Sequence, residues 1–368
     1  MTAIMAPADS SEVQECLCQA STAGQRLRVQ GAGTRPVRRF GCAQLLSTGA
    51  LSGIEDLDPE ELVLTAASGT SLSSIEEALR PHGLMLPPWY PGCTAGTLGG
   101  LYSDPREGPC HGRVGFTRDH VLGIEAVRGD GVPFKAGGRV VKNVTGYDVT
   151  RLLCGARGKL GVVTRLHWRL LALPERLLRA EVLCESSSSF WNGARQLREQ
   201  GIDPLLLMLK PKPSFQVQIL EWGRAGIAEN RLQKQLETLG GKRLQEGAVH
   251  PYDFETPVHE DPDTSRPRVR VRLPFSRWSE LLEKLHLRWL GVYPFAHFGI
   301  AELPASTPLK KLSCQVQEFG GSVTLETIPV SWPQDLDAGD LHGRNPLKLL
   351  EKRLREEWDS QGVLWHEE

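Results

Sequence analysis

No apolar run in these 368 residues approaches the ~20 that a membrane-spanning helix needs. The first ten residues carry neither the basic nor the apolar segment of a secretory leader. Charge of one sign is also missing: 43 Lys and Arg stand against 44 Asp and Glu, net −1. That balance disfavours a nucleic-acid duplex or an acidic membrane as the main partner. The expectation is a cytoplasmic protein with no transmembrane segment and no nucleic-acid partner. Clustered cysteines are lacking too. Of eight, only Cys16 and Cys18 lie close, and one intervening residue is the wrong spacing for a zinc knuckle. No run at two-residue intervals could hold an iron–sulfur cluster. The reading is therefore no metal site, and reduced, mostly buried thiols.

What is present is glycine and proline, 38 and 25 residues, a loop-rich composition. At roughly 150 residues per domain the length implies two or three domains. Val13, Cys16, Leu17 and Ala20 share one face of a helix, and Arg26–Gln30 alternates as a half-buried strand that runs straight into Gly31-Ala32-Gly33-Thr34-Arg35-Pro36. A second strand at Leu62–Ala66 leads through Gly69 into a helix with Leu72, Ile75 and Leu79 on one face, and Ser73 with Glu76 reads as its capping box. From Pro87 to Gly115 periodicity fades, although the stretch is too apolar and aromatic for disorder. Strands resume at Val121–Val127, Val140–Val141 and Leu160–Leu171. Past Pro174, strands at Leu178–Cys184, Leu205–Leu209, Phe215–Trp222, Val269–Leu273, Phe295–Ile300 and Ser322–Glu326 mix with helices at Phe190–Glu199, Ala228–Leu239, Trp278–Leu287 and Leu309–Phe319. No internal repeat stands out. A last helix is capped by Asn345, has Pro346 at its first position, and buries Leu347, Leu350, Leu354 and Trp358.

The glycine loops decide the chemistry. Gly31-Ala32-Gly33 fails as a dinucleotide fingerprint: Pro36 stands where the third glycine belongs, and Arg35 before a proline is pushed out of helical geometry. Gly158-Lys159-Leu160 fails as a phosphate-binding P-loop, lacking both the earlier glycine and the Ser or Thr after lysine. Gly31–Arg35 and Gly92–Gly100 can still aim successive backbone N–H groups at one phosphate as a nest. For either loop alone, a simple change of chain direction explains the glycines equally well.

Five ordered segments carry a resemblance. They are Gly31-x-Gly33-Thr34, Pro91-Gly92-Cys93-Thr94-Ala95-Gly96-Thr97-Leu98-Gly99-Gly100, Gly115-Phe116-Thr117-Arg118-Asp119-His120-Val121-Leu122-Gly123, Gly137-Gly138-Arg139-Val140-Val141-Lys142-Asn143-Val144-Thr145-Gly146-Tyr147-Asp148, and Gly158-Lys159-Leu160-Gly161-Val162-Val163-Thr164. Together they resemble the FAD-binding domain of the vanillyl-alcohol oxidase / p-cresol methylhydroxylase (PCMH) superfamily, over about Leu27 to Pro174. The Lys-Asn-Val-Thr-Gly-Tyr-Asp variant is most similar to the FAD-binding E subunits of bacterial glycolate oxidases. The resemblance implies an α+β fold: a two-subdomain PCMH-type FAD-binding domain over 1–175 (subdomains about 1–60 and 61–175), a smaller ferredoxin-like α+β domain over 176–335, and a C-terminal helical segment over 336–368. It implies that Gly31, Ala32, Gly33, Thr34 and Arg35 wrap the pyrophosphate of FAD, and that Gly92, Thr94, Thr97, Leu98, Gly99 and Gly100 complete the cradle. Thr117 and Asp119 would make polar contacts, and Gly161, Val162 and Val163 main-chain contacts to the cofactor. Tyr147 and Asp148 open a helix, and anchoring that helix is their expected role.

Departures from the family shape the functional expectation. The first loop has no histidine or cysteine for covalent attachment, so FAD is expected to be non-covalent; Cys110 and His111 read as loop contacts. Hydroxy-acid oxidising relatives carry His-x-Gly-Asp-Gly-Asn and Glu-His-Gly, whereas here the nearest match is His297-Phe298-Gly299-Ile300-Ala301 and no Glu-His-Gly occurs. His297 therefore reads as structural, in a strand; His250, His259 and His286 show no ligand spacing; no catalytic residue is identified. Arg268, Arg270 and Arg272 would suit a carboxylate, and the wet face of an edge strand explains them equally well. The resemblance implies an FAD-binding subunit of a glycolate-oxidase-type 2-hydroxy-acid dehydrogenase complex, relaying electrons beside a paralogous flavin subunit and an iron–sulfur subunit, at the inner membrane only through partners. Two alternatives stay open: a self-sufficient FAD dehydrogenase, and a non-enzymatic scaffold with a vestigial flavin site.

Overall fold

The computed structural model describes residues 4–34, 44–88, 95–105, 108–139, 148–211, 215–249, 266–304, 307–327 and 348–364. Arg35, Gly92, Thr94, Tyr147, the strand at Val140–Val141, and the Asn345 cap with Pro346 and Leu347 lie outside them.

The chain opens with β1 (Ile4–Met5), α1 (Ser10–Thr22), β2 (Leu27–Gln30) and β3 (Gln44–Ser47), a parallel sheet ordered β1-β3-β2. Helix α1 starts where the Asp9 carboxylate accepts from the Glu12 N–H at 2.9 Å, and buries Val13, Leu17 and Ala20, spaced four and three apart, against the sheet. A second sheet collects β4 (Ile54–Asp58), β5 (Val63–Ala67), β7 (Val121–Val127), β8 (Pro133–Gly137) and β9 (Val162–Arg169), all antiparallel, in the order β4-β5-β9-β7-β8. Between β5 and β7 lie α2 (Leu72–Leu79), β6 (Leu84–Met85) and the short helices α3 (Leu98–Ser103), α4 (His111–Val114) and α5 (Thr117–His120). The cap of α2 is Ser71, whose Oγ accepts from the Ser74 N–H at 3.0 Å, two residues before the Ser73 expected from the sequence. Helix α6 (Val149–Leu153) follows β8, capped by Asp148 through the Arg151 N–H. The short β10 (Leu171–Ala172) pairs with β6.

Central strand β9 sends buried side chains into two cores. Val162 packs with Val13, Leu17, Leu27 and Val127 on one side; Val163, Leu166 and Trp168 pack with Leu64, Ile75, Leu98 and Tyr102 on the other. Two cores thus meet across one strand, which fastens the first sheet to the second.

The rest of the chain forms one eight-stranded antiparallel sheet. It contains β11 (Arg176–Cys184), α7 (Ser187–Glu199), β12 (Leu206–Lys210), β13 (Phe215–Gly223), α8 (Ile227–Leu239) and β14 (Lys242–Ala248), then β15 (Arg268–Arg272), α9 (Trp278–Lys284), β16 (Arg288–Tyr293), β17 (Phe298–Glu302), α10 (Leu309–Glu318) and β18 (Ser322–Thr327). Its order is β14-β11-β13-β12-β16-β17-β15-β18. Each half is a βαββαβ unit with its strands ordered 4-1-3-2, the ferredoxin-like arrangement, and the two halves join through their second strands at Leu209↔Val292. This is an internal duplication that the sequence conceals, and it makes this sheet the largest among the described residues. The unpatterned strands β14 and β16 are what hid it. Helices α7 to α10 cover one face, with Trp191, Leu232, Trp278 and Leu312 in the core. Cys110 and Val114 press on the other face beside Tyr293 and Phe298. The last helix, α11, spans Lys348–Trp358.

Strand β15 corrects the reading of its arginines. It is internal, between β17 and β18, and Arg268 and Arg270 are buried. Arg268 lies 3.6 Å from Glu302, while Arg270 pairs with Glu326 and its guanidinium lies 4.2 Å from the Phe298 ring centroid. Burial of such a stripe is tolerated because each charge has a carboxylate or a ring face. The thiols also differ from expectation: Cys110 and Cys184 are buried, but Cys18 and Cys314 are exposed and Cys16 and Cys154 half-buried, all of them free.

Candidate flavin site

Strand β2 delivers the chain into Gly31–Thr34. Gly33 sits at φ +68°, a left-handed conformation that glycine adopts without strain. Among the described residues, none accepts from the amides of Gly31, Ala32, Gly33 or Thr34. Four successive N–H groups without an acceptor among the described residues, on an exposed bend, are the makings of an anion nest.

The second glycine loop lies directly against it. A Cβ on Gly31 would sit 2.5 Å from Thr97 Oγ1, and one on Gly96 would sit 3.4 Å from Thr34 Oγ1. At Gly31 only a hydrogen side chain fits without moving Thr97, and at Gly96 it is the φ of +124° that calls for glycine. The loop is itself pinned to the β5–α2 turn: Leu98 N–H donates to Thr70 O at 2.9 Å, Gly99 N–H to Ser68 O at 2.7 Å, and Leu72 N–H to Gly96 O at 3.1 Å. Gly100 N–H donates to Thr97 Oγ1, the cap of α3, at 3.2 Å. The amides of Leu98, Gly99 and Gly100 are therefore spent inside the chain. The structure brings Gly31, Thr34, Gly96 and Thr97 together. It uses Leu98, Gly99 and Gly100 to hold that arrangement, with Leu98 wholly buried.

Two hydroxyls are left without partners in the same region. Thr117 Oγ1 and Ser68 Oγ are both buried, and neither has a hydrogen bond. Orphaned buried hydroxyls cost about 1–3 kcal/mol each unless a partner arrives. They fit a polar cofactor lodged beside α3 and α5. Ser68 escaped the sequence reading, because a serine after a strand carries no signal until α3 is seen to fold over it.

Asp119 is engaged. Its Oδ2 accepts from the Phe116 N–H at 3.1 Å and its Oδ1 lies 3.4 Å from Arg151. Arg169, on β9, donates to the Asp119 carbonyl at 3.2 Å, so α5 is bolted to the central strand. Gly161 lies against β7, where a Cβ would come 3.0 Å from Val127 O. Val162 and Val163 bury their side chains in opposite cores and offer only main chain.

Buried His120 completes this corner, with Nε2 2.8 Å from Val114 O. Burial holds its pKa below the ordinary histidine value, against the Val114 hydrogen bond, which acts upward. His111, His167 and His297 are lowered mainly by burial as well. With folded pKa values depressed, the unfolded chain binds more protons as pH falls through about 6.5, and stability drops. Thermal melts are expected to show a Tm that falls from neutral pH towards pH ~5.5. His120→Gln should flatten that slope; an unchanged slope would remove His120 from the effect.

His297 lies at φ +58° after a 3₁₀ turn at Pro294–Ala296, so it precedes its strand. Its carbonyl accepts from the Leu273 N–H at 3.0 Å. His111 Nδ1 lies 2.9 Å from Gly108 O and its ring 4.8 Å from Phe116. Besides burial, the largest cause, His297, Arg270 and Arg272 also act to lower its pKa. Arg113 fastens α4 to the large sheet, 3.1 Å from the fully buried Glu221. Among the described residues no group of three or more His, Cys, Asp or Glu could hold a metal, and no helix is long and apolar enough to cross a membrane.

Residues 1–137 match the family model described as FAD binding domain. The chain is 36% identical over 199 residues to glycolate oxidase subunit GlcE of Escherichia coli, covering 53% of this chain and 55% of that protein. It is 29% identical over 177 residues to glycolate oxidase subunit GlcD of Bacillus subtilis, covering 48% and 37%. To D-lactate dehydrogenase of Archaeoglobus fulgidus it is 31% identical over 173 residues, covering 45% and 38%. The matches thus span 55% or less of these relatives' own lengths. A solved alkyldihydroxyacetonephosphate synthase superposes with a TM-score of 0.73 at 14% identity, over 98% of this chain and 75% of that one, a likeness of fold. Residues 1–137 thus resemble the FAD binding domain family, and the relatives that share this part include glycolate oxidase subunits and a D-lactate dehydrogenase, with FAD as the cofactor that the match supports.

Proposed function

We propose that the chain is an FAD-binding oxidoreductase subunit of a glycolate-oxidase-type complex that acts on a small 2-hydroxy acid. The observation that supports it best is the close approach of the two glycine loops, Gly31 against Thr97, beside four amides that have no acceptor among the described residues. In this reading residues 1–175 form the flavin unit, residues 176–335 the unit that covers it, and 336–368 a helical addition. Gly31–Thr34 would hold the diphosphate through backbone N–H groups, with Arg35, Gly92 and Thr94 alongside. Ser68 and Thr117 would give their hydroxyls to the cofactor, and Gly161–Val163 would approach it by main chain. Bound FAD supplies two-electron redox chemistry. The chain's own residues orient it and keep water from its buried edge. The missing His-x-Gly-Asp-Gly-Asn pattern supports a role inside a complex, beside a paralogous flavin subunit and an iron–sulfur subunit, and not alone.

The purified full chain, mixed with FAD and gel-filtered, should keep a flavin absorption spectrum, and acid precipitation should release the flavin into the supernatant. A colourless protein would remove the flavin reading and leave a scaffold. Reduction of the bound flavin by a hydroxy acid with no other subunit present would favour a self-sufficient dehydrogenase.

Thr117→Val separates cofactor from fold. Valine fills the same volume without the orphaned hydroxyl, so the FAD-free chain should gain about 1 kcal/mol while FAD binds more weakly. Melts and FAD titrations should therefore move in opposite directions; a loss of stability in the FAD-free chain would contradict the assignment of Thr117.

A further inference from the structure

Residues 348–364 return to the first unit. Leu27 N–H donates to Val363 O at 2.6 Å, and Leu364 pairs with Leu27 as a parallel bridge. Val363 and Leu364 are buried in the core shared with Val13 and Leu46. The Asp359 carboxylate, itself more than nine-tenths buried, accepts from the Val363 and Leu364 N–H groups at 2.8 Å each and so ties off the bend that follows α11. Asp359 rests on the β7–β8 turn, where a Cβ on Gly129 would come 2.5 Å from its Cγ. Trp358 meets Phe134 edge-on at 5.3 Å, and Arg128 donates to Glu357 O at 3.2 Å.

Strand β2 has four residues and stands at the edge of its sheet, with β3 as its one strand neighbour there. Short parallel edge pairing is weak. Residues 363–364 supply its second side. Four residues after Leu27 the same strand becomes the Gly31–Thr34 bend.

We propose that residues 359–364 are a strap that positions the phosphate-facing glycine bend, with Asp359 as its buckle; the cofactor half of this assignment rests on the flavin reading above. The strap acts through β2 and touches no cofactor, so Asp359 is a positioning residue. It lies more than 300 residues from the bend in sequence.

The test uses the full chain with Asp359→Ala, which removes both acceptors, Asp359→Asn, which keeps one, and Gly129→Ala, which wedges the carboxylate from outside the strap. Two readouts are taken: hydrogen exchange of residues 27–34 in the FAD-free protein, and FAD affinity by flavin fluorescence. Asp359→Ala and Gly129→Ala are expected to speed exchange at 27–34 about tenfold or more without changing exchange in the large sheet, and to weaken FAD binding about tenfold. Asp359→Asn should fall between. Wild-type chain that binds FAD, with variants of unchanged affinity and unchanged exchange at 27–34, overturns the strap alone. Variants that melt lower but keep FAD affinity also overturn it, since Asp359 is then merely structural. Wild-type chain that takes up no FAD overturns the flavin reading and the cofactor half of the strap with it. The exchange comparison then still decides whether residues 359–364 hold β2.

Discussion

Gly31→Ala is expected to weaken FAD binding about tenfold or more, a loss of at least ~1.4 kcal/mol. The added methyl would lie 2.5 Å from Thr97 Oγ1, inside any real contact. One of two things must give. If Thr97 rotates away, α3 loses its cap, at a cost near 1 kcal/mol, and the second loop loosens. If the bend moves instead, the amides of Gly31 to Thr34, which have no acceptor among the described residues, shift with it. Either response separates the loops by a few tenths of an ångström, and hydrogen bonds to a diphosphate fall off steeply over such distances and angles. Backbone strain is not the cause, since the left-handed position in this bend is Gly33. Fluorescence titration with FAD measures the effect, and the melt of the FAD-free chain serves as control. Unchanged affinity would mean that the loops' contact has nothing to do with a cofactor.

Trp168→Ala should be the most destabilising single change in the flavin unit, at about 3–5 kcal/mol. The indole is completely buried on β9, and its Nε1–H donates to Pro87 O at 2.7 Å. Its removal opens a large cavity and leaves a buried carbonyl without its donor. Against a typical net stability of about 5–15 kcal/mol that is a large share. The same strand carries Arg169, which holds the α5 carbonyl, and Val162, which reaches the first sheet's core. Loss of Trp168 should therefore loosen the flavin site as well as lower the urea midpoint. Trp168→Phe keeps most of the apolar volume and should fall between. A midpoint within error of wild type for the alanine variant would contradict the central place given to β9.

Some of this was legible beforehand. Asp148 reads as a helix opener and caps α6; the periodicity of Leu72, Ile75 and Leu79 gives α2; the β-prone runs at 121–127 and 215–222 are strands. Each is a local property of a few neighbouring side chains. The arginine stripe on β15 misled, because alternation reveals two faces and not what covers them. One face of that strand carries helices, and the other carries β17's Phe298 and the carboxylates Glu302 and Glu326. His297 looked like a strand residue, but Pro294 forces a turn just before it. Strands β14 and β16 lack a clean alternation, so the doubled βαββαβ unit stayed hidden until pairing placed them.

Residue order alone determined that the chain carries two glycine-rich bends, the first directly after a strand, in the order that the FAD binding domain match bears out. That much follows from the conformational freedom of glycine and from side-chain chemistry, both of which can be read one residue at a time. Only the folded chain decided that the bends touch, that α3 spends its amides internally, that Ser68 and Thr117 are left with idle hydroxyls, and that residues 359–364 brace β2. Those outcomes depend on which distant backbone groups find each other first, and pairing over tens to hundreds of residues is a property of the packed whole.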